Sequence, residues 1–316
     1  MINLNDEYEL FKSLCNSNCV KCTHKNEDLL KRIEAKGLKI SKNEEICKLQ
    51  NSIIPLSEEV IRNGLDPIAN ESIQMLDILY QTASTNKTIT DTSLSDRYSV
   101  LLTECQTDGQ GRRDKKWLSP LAENIYMSIQ FKLIECKNAH LIPLITALSI
   151  CQTLKKQGMD GCQIKWPNDI YFKGKKLAGI LVESRYNLSQ GSIFVVGIGL
   201  NVNMQINTEI DQLWTSMRNS QKQTFDRNII ISTLLSDALA SYNKINKMDL
   251  TQFMVDWQLY DYLYGSEITI TDDKNSYVAV SHGIANDGSL LIEVPGDRSL
   301  KKIYSADVSI KSNKDV

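Results

Sequence analysis

Two stretches of this chain gather cations and glycines in a way that suits an anionic ligand. The first, QTDGQGRRDKKW from Gln106 to Trp117, sets Gly109 and Gly111 around Gln110 and follows them with Arg112, Arg113, Lys115 and Lys116. Glycine lets backbone N–H groups approach an anion closely, and the arginine fork grips a phosphate or carboxylate through two hydrogen bonds. The second, KWPNDIYFKGKKLAGILVE, runs from Lys165 to Glu183. Pro167 restricts Trp166 to extended backbone and Asn168-Asp169 suits a turn, so Lys165 and Asp169 are expected at the mouth of a sheet. Ile170, Tyr171 and Phe172 are β-prone, Lys173-Gly174-Lys175 can turn, and Lys176 opens an apolar strand that carries Gly179. A third segment, VVGIGLNVN at 195–203, reads as a buried strand ending in Asn201 and Asn203, whose amides can both donate to and accept from a purine or sugar. The combination suits a nucleotide or an organic acid. Taken singly, the first stretch can also be read as a surface turn and the second as a solvated hairpin. The glycine loop has neither the Walker spacing nor the GxGxxG of a dinucleotide fold.

These segments need a scaffold, and periodicity outlines one. The chain has 316 residues, of which 42% are hydrophobic and 23% charged, enough for two or three globular domains. Strands such as IYMSIQFKL (125–133) alternate with helical runs at 141–158 and 227–245. In the first helical run Leu144, Leu148, Cys151 and Leu154 or Lys155 recur at helical intervals, which predicts a core-facing stripe. Mixed α/β is the natural class for this part. From Gly265 onward every periodic run is a short β-strand, separated by DDKN and NDG turns. The run at 57–74, with Gly64 and Pro67, reads as the exit from a first domain and a linker. No stretch approaches the roughly 18 apolar residues of a membrane span, and no basic start precedes an apolar run, which predicts a cytoplasmic protein.

The N-terminal part predicts helices over 8–14 and 27–38, the latter ending at Gly37, then a two-stranded wing within ISKNEEICKLQ (40–50). Residues 15–26 are too few for a further helix with its two turns. Residues 1–70 contain 10 Lys and Arg against 11 Asp and Glu, and the whole chain carries a net charge of −2, so no basic footprint for phosphate is present. Cys15, Cys19, Cys22 and His24, with Cys47 beyond, have spacings used by iron–sulfur and zinc sites, but plain thiols are the preferred reading, cysteine being frequent among buried residues. The eight cysteines are scattered, so no disulfide framework is expected and the metal set is left empty.

In order and spacing the motifs resemble the biotin protein ligase family, the biotin–[acetyl-CoA-carboxylase] ligases. The family pattern is roughly Ser-Thr-Asn, a GRGRRGR loop, KWPND with a following lysine and LAGIL, then GIGxNVN. Here these stand as Ser84-Thr85-Asn86, GQGRRDK at 109–115, KWPNDI from 165, Lys176 before LAGIL, and GIGLNVN from 197. The likeness runs from about Leu76 to about Ile310. It implies an α+β protein: a winged-helix-like remnant at 1–68 without operator binding, a mixed α/β catalytic domain at 69–264 of SH2-like, class II synthetase-like form, and an SH3-like barrel at 265–316.

The resemblance further implies that biotin attacks the α-phosphate of ATP to give biotinyl-5′-AMP and pyrophosphate, with Mg²⁺ on the phosphates. A lysine of a biotin carboxyl carrier protein then takes the acyl group. Arg112, Lys165 and Lys176 would be catalytic. Ser84, Thr85, Gln106, Gly109, Gly111, Arg112, Lys176 and Gly179 would hold biotin. Arg113, Trp117, Asn168, Asp169, Asn201, Asn203 and Trp214 would serve the nucleotide, Trp214 being either a lid or an ordinary core tryptophan. The likeness leaves homodimerisation through the sheet open. Departures are Gln110 in place of arginine, Asp114 in place of glycine, and Ala83 in place of an acidic residue; the first two predict a loop that retains the adenylate less tightly. A lipoate ligase-like enzyme would need a longer apolar slot without the GxGRR loop. A biotin-responsive transcriptional regulator would keep a basic wing domain, and a biotin-binding module without ligase activity is the reading if Asp114 spoils the loop.

Overall fold

The computed structural model describes residues 4–43, 45–90, 97–133, 137–187, 191–205, 209–271 and 276–310. At the N-terminus lie α1 (Leu4–Ser17), β1 (Cys19–Lys21), α2 (His24–Ala35), β2 (Ile40–Lys42) and β3 (Ile46–Leu49), the strands forming an antiparallel sheet in the order β1-β3-β2. The short connector between the helices thus holds a strand and no helix, and the two strands expected within 40–50 are β2 and β3, paired antiparallel. Thr23 N–H donates to Asn26 Oδ1 at 3.0 Å, which starts α2 earlier than the apolar pattern suggests, and Gly37 leaves it at φ +106°.

The expectation of free thiols is corrected at one pair: Cys22 and Cys47 form a disulfide, their Cα atoms 5.6 Å apart. Val20 lies opposite Cys47, so Cys22, two residues on, is its diagonal neighbour on the same face of the sheet. Among the described residues no group of His, Cys, Asp or Glu gathers as a metal site.

Glu7 of α1 is fully buried and receives Arg32 at 3.2 Å, Lys36, and the Tyr80 hydroxyl at 2.8 Å. A buried carboxylate is tolerated only with such partners, and these stitch the N-terminal helices to the central sheet. The stretch read as a linker folds as α3 (Glu58–Gly64) and α4 (Pro67–Ser72), capped by Ser57 and Asp66.

The central sheet has seven strands: β4 (Ile73–Thr82), β5 (Tyr98–Gln106), β6 (Ile125–Leu133), β7 (Cys162–Lys165), β8 (Asp169–Phe172), β9 (Lys175–Asn187) and β10 (Gly191–Leu200). Their order is β4-β5-β6-β10-β9-β8-β7, antiparallel except for the parallel β4–β5 pair. A short helix, α5 (Thr85–Ile89), follows β4. α6 (Ile142–Lys156) and α8 (Arg227–Asn243) build the main core, while α7 (Met217–Gln221) and α9 (Leu250–Gln258) close its periphery. The predicted stripe on α6 is buried, and Ile145, Ala147 and Ile150 are buried as well. α6 is therefore enclosed on more than one side, by the sheet and by α8, and a single amphipathic face underestimates its burial.

Beyond Gly265 come β11 (Glu267–Thr271), β12 (Ser276–Ile284), β13 (Leu290–Val294), β14 (Asp297–Ile303) and β15 (Asp307–Ile310), in the order β14-β13-β12-β11-β15. Among the described residues the edges β14 and β15 are not paired, so this is an open five-stranded sheet. It docks through its NDG turn, where the Gly288 carbonyl accepts from Trp166 Nε1 at 2.9 Å.

Candidate active site

A cavity of about 320 Å³ opens at the ends of β7, β8 and β9, roofed by the Gly109–Trp117 loop and the start of β15. Register brings its charges together. On the β7–β8 hairpin Lys165 faces Asp169, and on β8–β9 Asp169 faces Gly179 while Tyr171 faces Lys176. Lys176 Nζ consequently lies 2.9 Å from Asp169 Oδ2, both side chains mostly buried. Lys165 Nζ sits 5.2 Å from the Tyr171 ring centre and 3.4 Å from its hydroxyl. Burial lowers the Lys165 pKa below the usual lysine value, with Asp169 opposing the shift and Lys176 adding to it. Arg112 Nη1 donates to Asn168 Oδ1 at 3.1 Å, and burial likewise lowers its pKa. The Trp166–Pro167 peptide in this turn is cis.

The opposite end of the cavity is polar and neutral. Ser84 precedes α5, Thr85 begins it, and Gln106 Oε1 accepts from the Thr85 amide at 2.8 Å while its Nε2 donates to Ser119 Oγ at 3.0 Å. Ser128 Oγ bonds both Thr85 Oγ1 (2.7 Å) and Asn86 Oδ1 (2.6 Å), and Asn86 Nδ2 donates to Glu183 at 2.7 Å. Donors and acceptors fixed in this way suit a ureido group or a comparable amide-like ligand.

The glycines have steric reasons. A Cβ on Gly197 would stand 2.3 Å from Asn86 Oδ1, and one on Gly199 2.4 Å from the Trp117 ring. Gly179 also faces that ring, at 3.0 Å. Trp117 can lie across the sheet only because these positions carry no side chain. Its Nε1 is buried without a hydrogen-bond partner among the described residues. The loop itself is a small hairpin, closed by Gly111 N–H to the Lys115 carbonyl (2.6 Å) and Trp117 N–H to the Gly109 carbonyl (2.9 Å). Gly109 supports this pairing from outside the cavity lining, since a Cβ there would meet the Trp117 carbonyl at 2.3 Å.

Residues 78–203 match the biotin/lipoate A/B protein ligase family and residues 264–311 the biotin protein ligase C-terminal domain, together more than half of the chain. The chain belongs to the biotin protein ligase family. It is 30% identical over 212 residues to the bifunctional ligase/repressor BirA of Salmonella typhimurium, an alignment covering 66% of this chain and 65% of that relative's length. Biotin–[acetyl-CoA-carboxylase] ligase of Mycobacterium tuberculosis is 28% identical over 251 residues, 77% of this chain and 91% of the relative. The solved structure of Aquifex aeolicus biotin protein ligase in complex with biotin and ATP matches with a TM-score of 0.67 and 26% identity, covering 75% of this chain and all of that one.

Of the residues that the motifs of this biotin protein ligase family member singled out, Ser84, Thr85, Gln106, Gly111, Arg112, Trp117, Lys165, Asn168, Asp169, Lys176 and Gly179 line the cavity. Arg113 is not part of the lining; its guanidinium pairs with Asp307, which is. Asn201, Asn203 and Trp214 do not line it. Asn201 Nδ2 donates to the Thr215 carbonyl, and Asn203 exchanges two hydrogen bonds with the Phe225 backbone, so both amides brace the turns after β10. Trp214 is half-buried in a segment whose backbone pairs with Lys176. The motif reading did not single out Ser128, Tyr171, Glu183 or Asp307. Tyr171 and Glu183 stand inside quoted motifs, whereas Ser128 and Asp307 carry no local signal.

Proposed function

We propose that this chain is an ATP-dependent biotin protein ligase. It joins the biotin carboxylate to the α-phosphate of ATP, releasing pyrophosphate, and passes the biotinyl group to a lysine of a biotin carboxyl carrier protein, the acetyl-CoA carboxylase subunit being the candidate. The observation that carries this reading is the convergence of Lys165, Lys176 and Arg112 on one cavity whose far end is lined by Ser84, Thr85 and Gln106. Attack of a carboxylate on a phosphate brings two anions together, so fixed positive charge and alignment supply the catalysis and no protein nucleophile is needed. Ser84, Thr85 and Gln106 would orient the ureido ring. Lys176 and Arg112 would grip the carboxylate and then the mixed anhydride, and Lys165 would meet the α-phosphate. Asn168 and the face of Trp117 would border the adenylate, shielding it from water. Asn168 and Asp169 would serve the nucleotide and metal end, where Mg²⁺ carried on the phosphates would add charge stabilisation.

Two finer readings accompany this one. The N-terminal module is a degenerate winged helix without operator binding. In support, Lys31 pairs with Glu27 and Asp28, Arg32 and Lys36 with Glu7, and Lys42 with Glu34, so these cations on and after α2 are engaged in ion pairs. The C-terminal sheet is an SH3-like barrel in origin. Biotin-dependent exchange of labelled pyrophosphate into ATP tests the main reading. Exchange that requires biotin, ignores lipoate and collapses in Lys176→Ala is expected; no exchange by folded wild-type protein would overturn it.

A further inference from the structure

We propose that Asp307, at the start of β15, is a positioning residue that holds the Gly109–Trp117 loop closed and so sets how slowly the activated acid escapes. The inference rests on the ligase reading above. Three neighbouring loop residues are tied to one short segment of the C-terminal sheet. Arg112 Nη2 donates to Ser305 Oγ at 3.4 Å, Arg113 Nη1 lies 2.7 Å from Asp307 Oδ2, and Lys115 Nζ stands 3.8 Å from the same oxygen.

The loop needs an external hold for two reasons. Arg113 and Asp114 both adopt left-handed backbone, at φ +53° and +56°, a conformation that side chains with a Cβ disfavour. Its own backbone bonds are few: the pair already described, at Gly111 and Trp117, and a longer one from the Lys115 amide to the Arg112 carbonyl at 3.2 Å. Such a segment relaxes unless surrounding structure over-determines it. Asp307 supplies that determination from a separate domain, and Ala306, Asp307, Val308 and Ser309 line the same cavity. Because Arg112 also reaches Asn168 across the cavity, freeing Arg113 and Lys115 would let Arg112 swing off the carboxyl end of the site. Asp307 therefore acts through the loop. The carboxylate and the two cations are all partly exposed, so the hold is modest and screened by salt.

The test uses the full chain loaded with biotin and ATP, then chased with excess unlabelled biotin, and follows release of biotinyl-5′-AMP. Asp307→Asn is expected to release it about five-fold faster, the scale of one partly exposed ionic contact. Asp307→Glu should restore slow release, and raising the salt should bring wild type toward Asp307→Asn. In an Arg113→Gln/Lys115→Gln background, Asp307→Asn should add nothing further. Unchanged release in Asp307→Asn, or an equal effect in that background, would overturn the proposal.

A second readout needs no activity. Trypsin cleavage within residues 112–116 of the unliganded protein should be faster in Asp307→Asn at an unchanged melting temperature, and equal nicking rates would again overturn the latch. Failure of wild type to form any adenylate would instead count against the ligase reading, leaving the proteolysis result to decide the latch alone.

Discussion

The β7–β9 wall and the Gly109–Trp117 loop bring the same kind of charge to one cavity by opposite means. In the wall, Lys165 and Lys176 project from ladder positions whose neighbours Ile164, Ile170, Phe172, Leu177 and Ile180 are buried, and Lys176 is paired with Asp169 at 2.9 Å. In the loop, Arg112 stands on a turn with two left-handed residues, exposed lysines at 115 and 116, and ties to another domain. The strand cations are fixed by the hydrogen-bonded ladder on which they stand. The loop cation sits on a segment whose own backbone bonds are few.

Hydrogen exchange offers the largest contrast. The Ile180 amide, bonded to the Asn168 carbonyl at 2.9 Å inside the sheet, is expected to exchange about a thousandfold more slowly than the amides of Gly111 and Trp117, because local opening ranges from near zero to the global unfolding free energy. Equal protection by mass spectrometry would erase the distinction between wall and loop.

Lys176→Gln should lower the rate of biotin-dependent pyrophosphate exchange by about 10²–10³-fold, as loss of one preorganised charge contact does. A loss below ten-fold would move Lys176 out of the reacting centre.

Gly199→Ala tests the seam between the two regions. Its Cβ would collide with the Trp117 ring at 2.4 Å, so Trp117 must shift; about 1–3 kcal/mol of stability in urea unfolding and roughly ten-fold of exchange activity are expected to go. An unchanged exchange rate would mean that Trp117 does not border the ligand.

The smallest effect is expected from Gln110→Arg/Asp114→Gly, which removes a left-handed side chain whose cost is of order 1 kcal/mol. Adenylate release should slow about three-fold in a chase experiment, and equal off-rates would show that the residues departing from the family loop do not govern retention.

How much could be read without the fold varies along the chain. Lys165, Asp169 and Lys176 were legible because a hairpin determines which of its own residues face one another, and Pro167 with Gly174 marks the turns. Arg112 was legible from its glycine neighbours. Asn201 and Asn203 were not: an asparagine amide suits a ligand and a backbone carbonyl equally well, and only the approach of Thr215 and Phe225 directs theirs to backbone. The Cys22–Cys47 pairing was hidden likewise, since β1 is three residues long and gives almost no periodic signal.

The amino-acid sequence alone determined the charge set of the site, its strand and loop supports and the family likeness, because each rests on contiguous residues and short-range backbone rules. The tertiary structure decided which cations are anchored and which are held from a distance. Asp307 lies nearly two hundred positions from Arg113, and nothing local to either residue encodes their meeting. That contact exists because the C-terminal sheet docks through Gly288 on Trp166 and α6, and docking depends on the shapes of two finished surfaces.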